Sequence, residues 1–239
     1  MNRNKVLAAL AMIISLAFGL PATAAPAEFS RLDTLAPEWM PLTFPNIERH
    51  SEYRLVRDSQ GTQVVEARTD GGASGLIARL DLDPGEQLIL RWRWKVSNVY
   101  QAGDARRKDG DDYPARLYVA FRFEDEHAGF FERLKRGTVK ALFGEELPGN
   151  ALNYIWANRL PQGRMVANPY TDQTMMVAVT SGRERVGQWV TVERDLVADY
   201  RQAFSKAPPR IVGIGIMSDA DNTGDSATAW YGDIELITP

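Results

Sequence analysis

Carboxylates crowd at two places in this chain, and both point to ion or ligand binding. Asp219-Ala220-Asp221-Asn222-Thr223-Gly224-Asp225 sets three carboxylates, an amide and a hydroxyl around one glycine. Hard cations take oxygen ligands at such spacing, and the glycine permits the sharp turn. The first six positions partly match a calcium loop. The twelfth, which needs Glu, is Trp230, and the flanks read as strands, so an EF-hand is excluded while calcium is not. Asp219 and Asp221 are the expected metal ligands and Asn222 a ligand contact; a solvated turn of Asp, Asn and Gly is the alternative.

The second group is Asp109-Gly110-Asp111-Asp112-Tyr113. Adjacent carboxylates raise one another's pKa, which suits one of them to acid chemistry. Facing Asp219 or Asp221, Asp111 or Asp112 would form the pair a glycosidase needs, provided the two loops meet. In either case Asp111 and Asp112 are expected at a ligand site. Arg116 and Tyr118 on the following strand, and Tyr154 and Trp156 in Leu152-Asn-Tyr-Ile-Trp156, are expected to floor it, with core packing the alternative for the two aromatics. Aromatic rings offer sugars a flat apolar face with a polar edge. Other chemistries have little support. The histidines are His50 and His127, and there is no Gly-x-Ser-x-Gly elbow, phosphate loop or His-Glu-x-x-His signature.

The elements that must position these residues repeat with period two. In Leu88-Ile-Leu-Arg-Trp-Arg-Trp-Lys-Val96, the residues Leu88, Leu90, Trp92, Trp94 and Val96 share one face, with Arg91, Arg93 and Lys95 opposite. In 116–123, Leu117, Val119, Phe121 and Phe123 alternate with Arg116, Tyr118, Ala120 and Arg122. Both are half-buried strands. Their basic outer residues are expected on neighbouring strands, with Asp233 and Glu235 of the last strand interleaved. Further strands are expected over 62–68, 75–80, 152–157, 175–180, 188–194, 212–217 and 230–237. Gly71 to Gly75 reads as a hairpin turn. Many short strands between Gly, Pro and Asp turns favour a sandwich. Helices are expected over 130–143, with a basic side of Arg133, Lys135, Arg136 and Lys140, and over 196–204, where Leu196, Tyr200 and Phe204 recur every fourth residue.

Arg3 and Lys5, an apolar run from Val6 to Leu20 and Ala22-Thr23-Ala24 read as a signal peptide over 1–24. A single β-sandwich domain is expected over 25–239, periplasmic or secreted. The net charge of −3 becomes −5 once Arg3 and Lys5 are removed. An acidic chain is poorly suited to nucleic acid, whose affinity comes from basic groups on phosphates. With no cysteine, the chain has no thiol nucleophile, disulfide or thiolate metal site.

Gly110-Asp-Asp-Tyr-Pro-Ala-Arg-Leu-Tyr-Val119, Asn153-Tyr-Ile-Trp-Ala157, Asn168-Pro-Tyr170, Ser181-Gly182, Asp199-Tyr200 and Ile216-Met-Ser-Asp-Ala-Asp-Asn-Thr-Gly224 together resemble the bacterial domain-of-unknown-function family numbered 3047. The likeness runs from about Phe44 to the end. It implies an exported domain and transfers no activity or site residues. The strand order also resembles the galactose-binding-like jelly roll of carbohydrate-binding modules. In those modules an Asp of the last strand often lies beside a structural calcium, which makes Asp233 a third expected metal ligand. The combined expectation is an all-β jelly-roll sandwich that binds a glycan or polysaccharide without catalysis and takes calcium structurally. Two alternatives remain: a carbohydrate-active enzyme (a carboxylate-pair hydrolase, or a lyase using Tyr118 or Tyr154 with arginine on a uronate) and a structural envelope protein that makes contact through the basic helix.

Overall fold

Residues 23–44, 47–123 and 148–239 are described by a computed structural model of the chain. Its first strands are β1 (Thr23–Ala27), β2 (Met40–Leu42), β3 (Glu52–Arg57), β4 (Gln63–Asp70), β5 (Ala73–Leu82), β6 (Ile89–Val96) and β7 (Arg116–Arg122). They continue as β8 (Pro148–Ala157), β9 (Met165–Asn168), β10 (Thr171–Ser181), β11 (Val190–Asp195), β12 (Ile211–Asp219) and β13 (Ser226–Ile237), with helix α1 (Leu196–Phe204) between β11 and β12. A six-stranded sheet runs β11-β6-β13-β4-β3, with β1 also on β13; a seven-stranded sheet runs β2-β5-β12-β7-β8-β10-β9. From β4 to β7 the chain alternates between sheets. The last two strands then insert, β12 between β5 and β7 and β13 between β4 and β6, giving the interleaving of a jelly roll. β8 and β10 run parallel.

Alternation builds the core. Leu90, Trp92, Trp94 and Val96 of β6 point inward and are buried, as are Leu117, Val119 and Phe121 of β7. Across the sandwich Trp92 meets Tyr154 with ring centroids 5.3 Å apart, and Trp94 meets Trp156 at 6.0 Å. Each such ring removes roughly 150–250 Å² from water, and fully burying an aromatic side chain contributes about 1.5–3 kcal/mol. All nine residues of β12 are buried. It is a central strand of its sheet, and part of that sheet's outer face is covered by the loop between β6 and β7. Ala105 and Tyr113 of that loop pack on Ile155, Met176 and Ala178.

The expected helix over 196–204 forms as α1. The Asp195 side chain accepts from Val197 N and Ala198 N, and Ser205 ends the helix in the left-handed region at φ 55. Its Tyr200 ring packs 4.4 Å from Phe121 and 4.7 Å from Phe204. Strands β1, β2, β3 and β9 go beyond those expected. The helix expected over 130–143 and most of the leader lie outside the described residues. β1 pairs Ala24 with Leu236 and Ala27 with Ile234, so the expected cleavage point falls within that strand. Among the described residues no helix is long and apolar enough to cross a membrane.

The expectation of one shared basic face is overturned. Arg91, Arg93 and Lys95 belong to the six-stranded sheet and Arg116, Tyr118 and Arg122 to the seven-stranded one, so the two rows lie on opposite outer faces of the sandwich. On the six-stranded side Arg91 pairs with Glu193 at 2.8 Å and Glu235 at 3.5 Å. Arg93 pairs with Asp58 at 3.1 Å, and Lys95 Nζ lies 4.3 Å from the Trp230 ring centroid. That face neutralises itself by cross-strand pairing.

Candidate functional site

The loops 98–115 and 219–225 meet at one end of the sandwich. β7 and β12 are neighbours, with Arg116 opposite Met217, so the segment before β7 and the segment after β12 leave the sheet side by side. Asp219 N donates to the Tyr113 carbonyl and Tyr113 N donates to Asp219 Oδ1, both at 3.2 Å. Asp112 crosses to the other loop. Its Oδ2 accepts from Asn222 N at 3.0 Å and Thr223 N at 2.6 Å, and its Oδ1 accepts from Asn222 Nδ2 at 2.9 Å. Ala220 N is held by the Gly72 carbonyl at 2.9 Å, which ties in the β4–β5 turn.

Asn158, just after β8, staples the first loop from below. It accepts from Tyr100 N at 2.8 Å and donates to the Asp112 carbonyl at 2.7 Å. The close approach explains Gly103, where an added Cβ would stand 2.0 Å from Asn158 Nδ2.

At the centre is Arg116, buried together with Asp111, Asp112 and Asp219. Its Nε donates to Asp219 Oδ1 at 2.7 Å and its Nη2 donates to Asp219 Oδ2. Nη1 lies 3.4 Å from Asp111 Oδ1 and 3.3 Å from the Tyr118 hydroxyl. The guanidinium carbon stands 4.4 Å from the Tyr113 ring centroid. Burial disfavours the Arg116 cation, but Asp219, Tyr118 and Asp111 outweigh that and raise its pKa, so it stays charged. The guanidinium thus pairs with Asp219 and Asp111, and the carboxyl groups of Asp112 and Asp221 gather beside that of Asp219. Burial pushes the Asp219 carboxyl well up, and Asp112 and Asp111 add to this against the pull of Arg116. Burial and Asp112 also raise Asp221. Burial pushes the half-buried Tyr118 phenol up to about 12, with Arg116 opposing.

The β9–β10 turn completes the rim. Asn168 Nδ2 donates to Asp111 Oδ2 at 2.9 Å, and Asn168 Oδ1 accepts from Tyr170 N at 2.9 Å. The Tyr170 hydroxyl lies 3.0 Å from both the Lys108 carbonyl and Asn222 Oδ1, either of which can take its proton. Tyr170 as a whole remains 56% exposed. Asn168 and Tyr170 were not among the expected site residues, although Asn-Pro-Tyr is one of the quoted motifs.

Asp111, Asp112, Arg116, Asp219, Asp221 and Asn222 are thus brought together, with Tyr118 adjoining them. Tyr154 and Trp156 are not. Both are fully buried between the sheets, where the Tyr154 hydroxyl donates to Asp199 Oδ2 at 2.8 Å and Trp156 Nε1 donates to the Gly182 carbonyl at 3.2 Å. The inward phase of β8 makes them core, and no sugar reaches them. Asp233 is also elsewhere, on the six-stranded sheet, where its carboxylate accepts from Ser30 N at 2.8 Å and Ser30 Oγ at 2.6 Å. Asp112, not Asp233, joins Asp219 and Asp221: each offers a carboxylate oxygen, and the three oxygens lie within 4.8 Å of one another. That span suits a hard cation with ligands near 2.4 Å.

Several solved structures have a similar arrangement of strands. The family 11 carbohydrate-binding module of the cellulosomal cellulase Lic26A-Cel5E of Clostridium thermocellum is 13% identical, with 92% of this chain and 96% of that one covered and a TM-score of 0.47. The Clostridium thermocellum family 11 module in complex with a β-1,3-1,4-mixed-linked tetrasaccharide gives 15% identity, 86% and 93% coverage and a TM-score of 0.39. The K1 cleaved adhesin domain of Lys-gingipain from Porphyromonas gingivalis W83 gives 10% identity, 91% and 98% coverage and a TM-score of 0.37. No curated protein sequence matches the chain. The motifs quoted from the sequence fall within a family match over residues 37–235, and the chain belongs to that family, described as protein of unknown function (DUF3047).

Proposed function

We propose that this is an exported protein that binds a neutral carbohydrate at the rim formed by loops 98–115 and 219–225 and the β9–β10 turn, without cleaving it. The observation that carries this reading is Tyr170, an aromatic ring left open to solvent yet fixed at its hydroxyl and its backbone beside Asp111, Asn222 and the acidic cluster. A sugar ring needs an apolar face to stack on and fixed polar groups for its hydroxyls. A platform already pinned in the free protein loses little entropy on binding. The surplus of carboxyl groups over the Arg116 guanidinium favours a neutral glycan over a uronate. Binding is favoured over cleavage because both Asp112 oxygens already accept N–H donors and Asp219 is engaged by Arg116. Those contacts commit Asp112 and Asp219 to holding the two loops together. Export rests on the leader-like first 24 residues.

An array of neutral and uronate-containing oligosaccharides tests the proposal. Neutral glycans should bind and no new reducing ends should appear. Tyr170→Ala should weaken binding by tenfold or more, since fully burying an aromatic side chain contributes about 1.5–3 kcal/mol. Equal binding by Tyr170→Ala, or no binding to any neutral glycan, contradicts the site. Released reducing ends contradict the non-catalytic reading.

A further inference from the structure

We infer that Asp112, Asp219 and Asp221 form a calcium site that holds loops 98–115 and 219–225 together. Their three carboxylate oxygens lie within 4.8 Å of one another, a span a hard cation can bridge, and the flexible six- to eight-oxygen shell of calcium accepts an irregular set that the strict octahedron of magnesium does not. Asp112 and Asp219 are buried and Asp221 is exposed, so the site opens to solvent at Asp221.

Each ligand retains capacity. A carboxylate presents roughly four lone-pair positions. Asp112 uses three of them on Asn222 N, Asn222 Nδ2 and Thr223 N, and Asp219 uses three on Tyr113 N, Arg116 Nε and Arg116 Nη2. Charge points the same way. Arg116 pairs with Asp111 and Asp219, and a divalent ion would offset the negative charge that Asp112 and Asp221 add beside them.

An independent observation comes from tyrosine. The Tyr100 hydroxyl is buried and has no hydrogen-bond partner among the described residues, and Asp219 and Asp112 are the charged groups acting on it most strongly. Tyr100 packs against Ala220, between the two ligand-bearing residues of the second loop. Buried hydroxyls in folded proteins find partners. A buried hydroxyl packed on Ala220, between Asp219 and Asp221 in the chain, suits either direct ligation of a hard cation or a hydrogen bond to a water in its shell. The Tyr113 hydroxyl is likewise buried without a partner among the described residues; its backbone pairs with Asp219 and its ring lies 4.4 Å from the Arg116 guanidinium carbon.

The ion site does not depend on the carbohydrate reading, because calcium binding is measured with no sugar present. The test is calorimetric titration of chelator-treated protein with calcium chloride, then with magnesium chloride, on the parent chain, Asp221→Asn and Asp225→Asn. Asp221 is exposed, so its substitution leaves the fold intact, which far-UV circular dichroism verifies. The expected result is one calcium per chain, at least tenfold weaker in Asp221→Asn, nearly unchanged in Asp225→Asn, and much weaker binding of magnesium. Tyr100→Phe should weaken calcium by a smaller factor. The assignment is overturned by no heat at about 10 mM calcium, tenfold above the weakest extracellular calcium modules. It is also overturned by equal losses in Asp221→Asn and Asp225→Asn, which would mark a diffuse acidic surface, or by magnesium binding as tightly as calcium.

Discussion

Arg116 lies with its guanidinium on Asp219 and Asp111 and its plane against Tyr113, all of them buried. Arg116→Met would strand Asp219 without a counter-charge, and breaking a buried pair from one side costs about 3–5 kcal/mol. Urea unfolding should show a loss of that size, with part of it recovered in the double variant Arg116→Met/Asp219→Asn. Two tyrosines separate core from site. Tyr154→Phe removes a hydrogen bond to a carboxylate that Arg194 also holds and should cost about 1.5–3 kcal/mol of stability with glycan binding unchanged. Tyr170→Ala should do the reverse, with stability within about 0.5 kcal/mol of the parent and glycan binding lost. Residue types and spacing in the sequence picked out both acidic groups, because crowded carboxylates around a glycine are unusual unless something holds them. Alternation in 152–156 set Tyr154 and Trp156 on one side of a strand but left open which side faced inward. Asn168 and Tyr170 acquire their roles only through the reach of the β9–β10 turn, and no local pattern encodes that reach.

At the scale of elements, β6 and β7 were legible because every second residue is apolar and inward. β3 was harder: Glu52-Tyr-Arg-Leu-Val-Arg57 lies at a sheet edge, exposed or half-buried throughout. α1 was legible from its four-residue spacing. Its cap predicts that Asp195→Ala lowers stability by about 1 kcal/mol, measurable as a shift in the urea midpoint with an unchanged slope. The outer face of the six-stranded sheet predicts an acid sensitivity. For Asp58, burial acts upward but is outweighed by hydrogen bonds from Gln60 and Thr62 and by Arg93, so its pKa is lowered. Glu66 is lowered in the same way by Arg54 and Arg68 against its burial. A carboxyl with a lowered folded-state pKa contributes stability that is full above its unfolded value, near 4, and is lost as pH falls through the folded value. The melting temperature should therefore fall as pH drops from about 5 toward 3. An Asp58→Asn variant should be less stable at neutral pH and show a shallower fall. An identical acid profile would remove Asp58 from this account.

The whole molecule supplies what no strand contains. A jelly roll sends β7 and β12 out of one sheet as neighbours although 88 residues separate the end of one from the start of the other, and that adjacency brings the 109–112 and 219–225 carboxylates into one cluster. The same topology divides the basic residues of β6 and β7 between opposite outer faces, which alternation within single strands could not foretell. Sandwich class was legible from the number of short strands and the turns between them, whereas sheet membership depended on pairings between distant segments. The proposed site seats a sugar on Tyr170 beside the acidic cluster. Crystals grown with the tightest-binding neutral oligosaccharide test it most directly. The predicted result is a sugar ring stacked on Tyr170 with hydroxyls bonded to Asp221 and Asn222; a glycan seated on the six-stranded face, or on the seven-stranded face away from Tyr170, would contradict it.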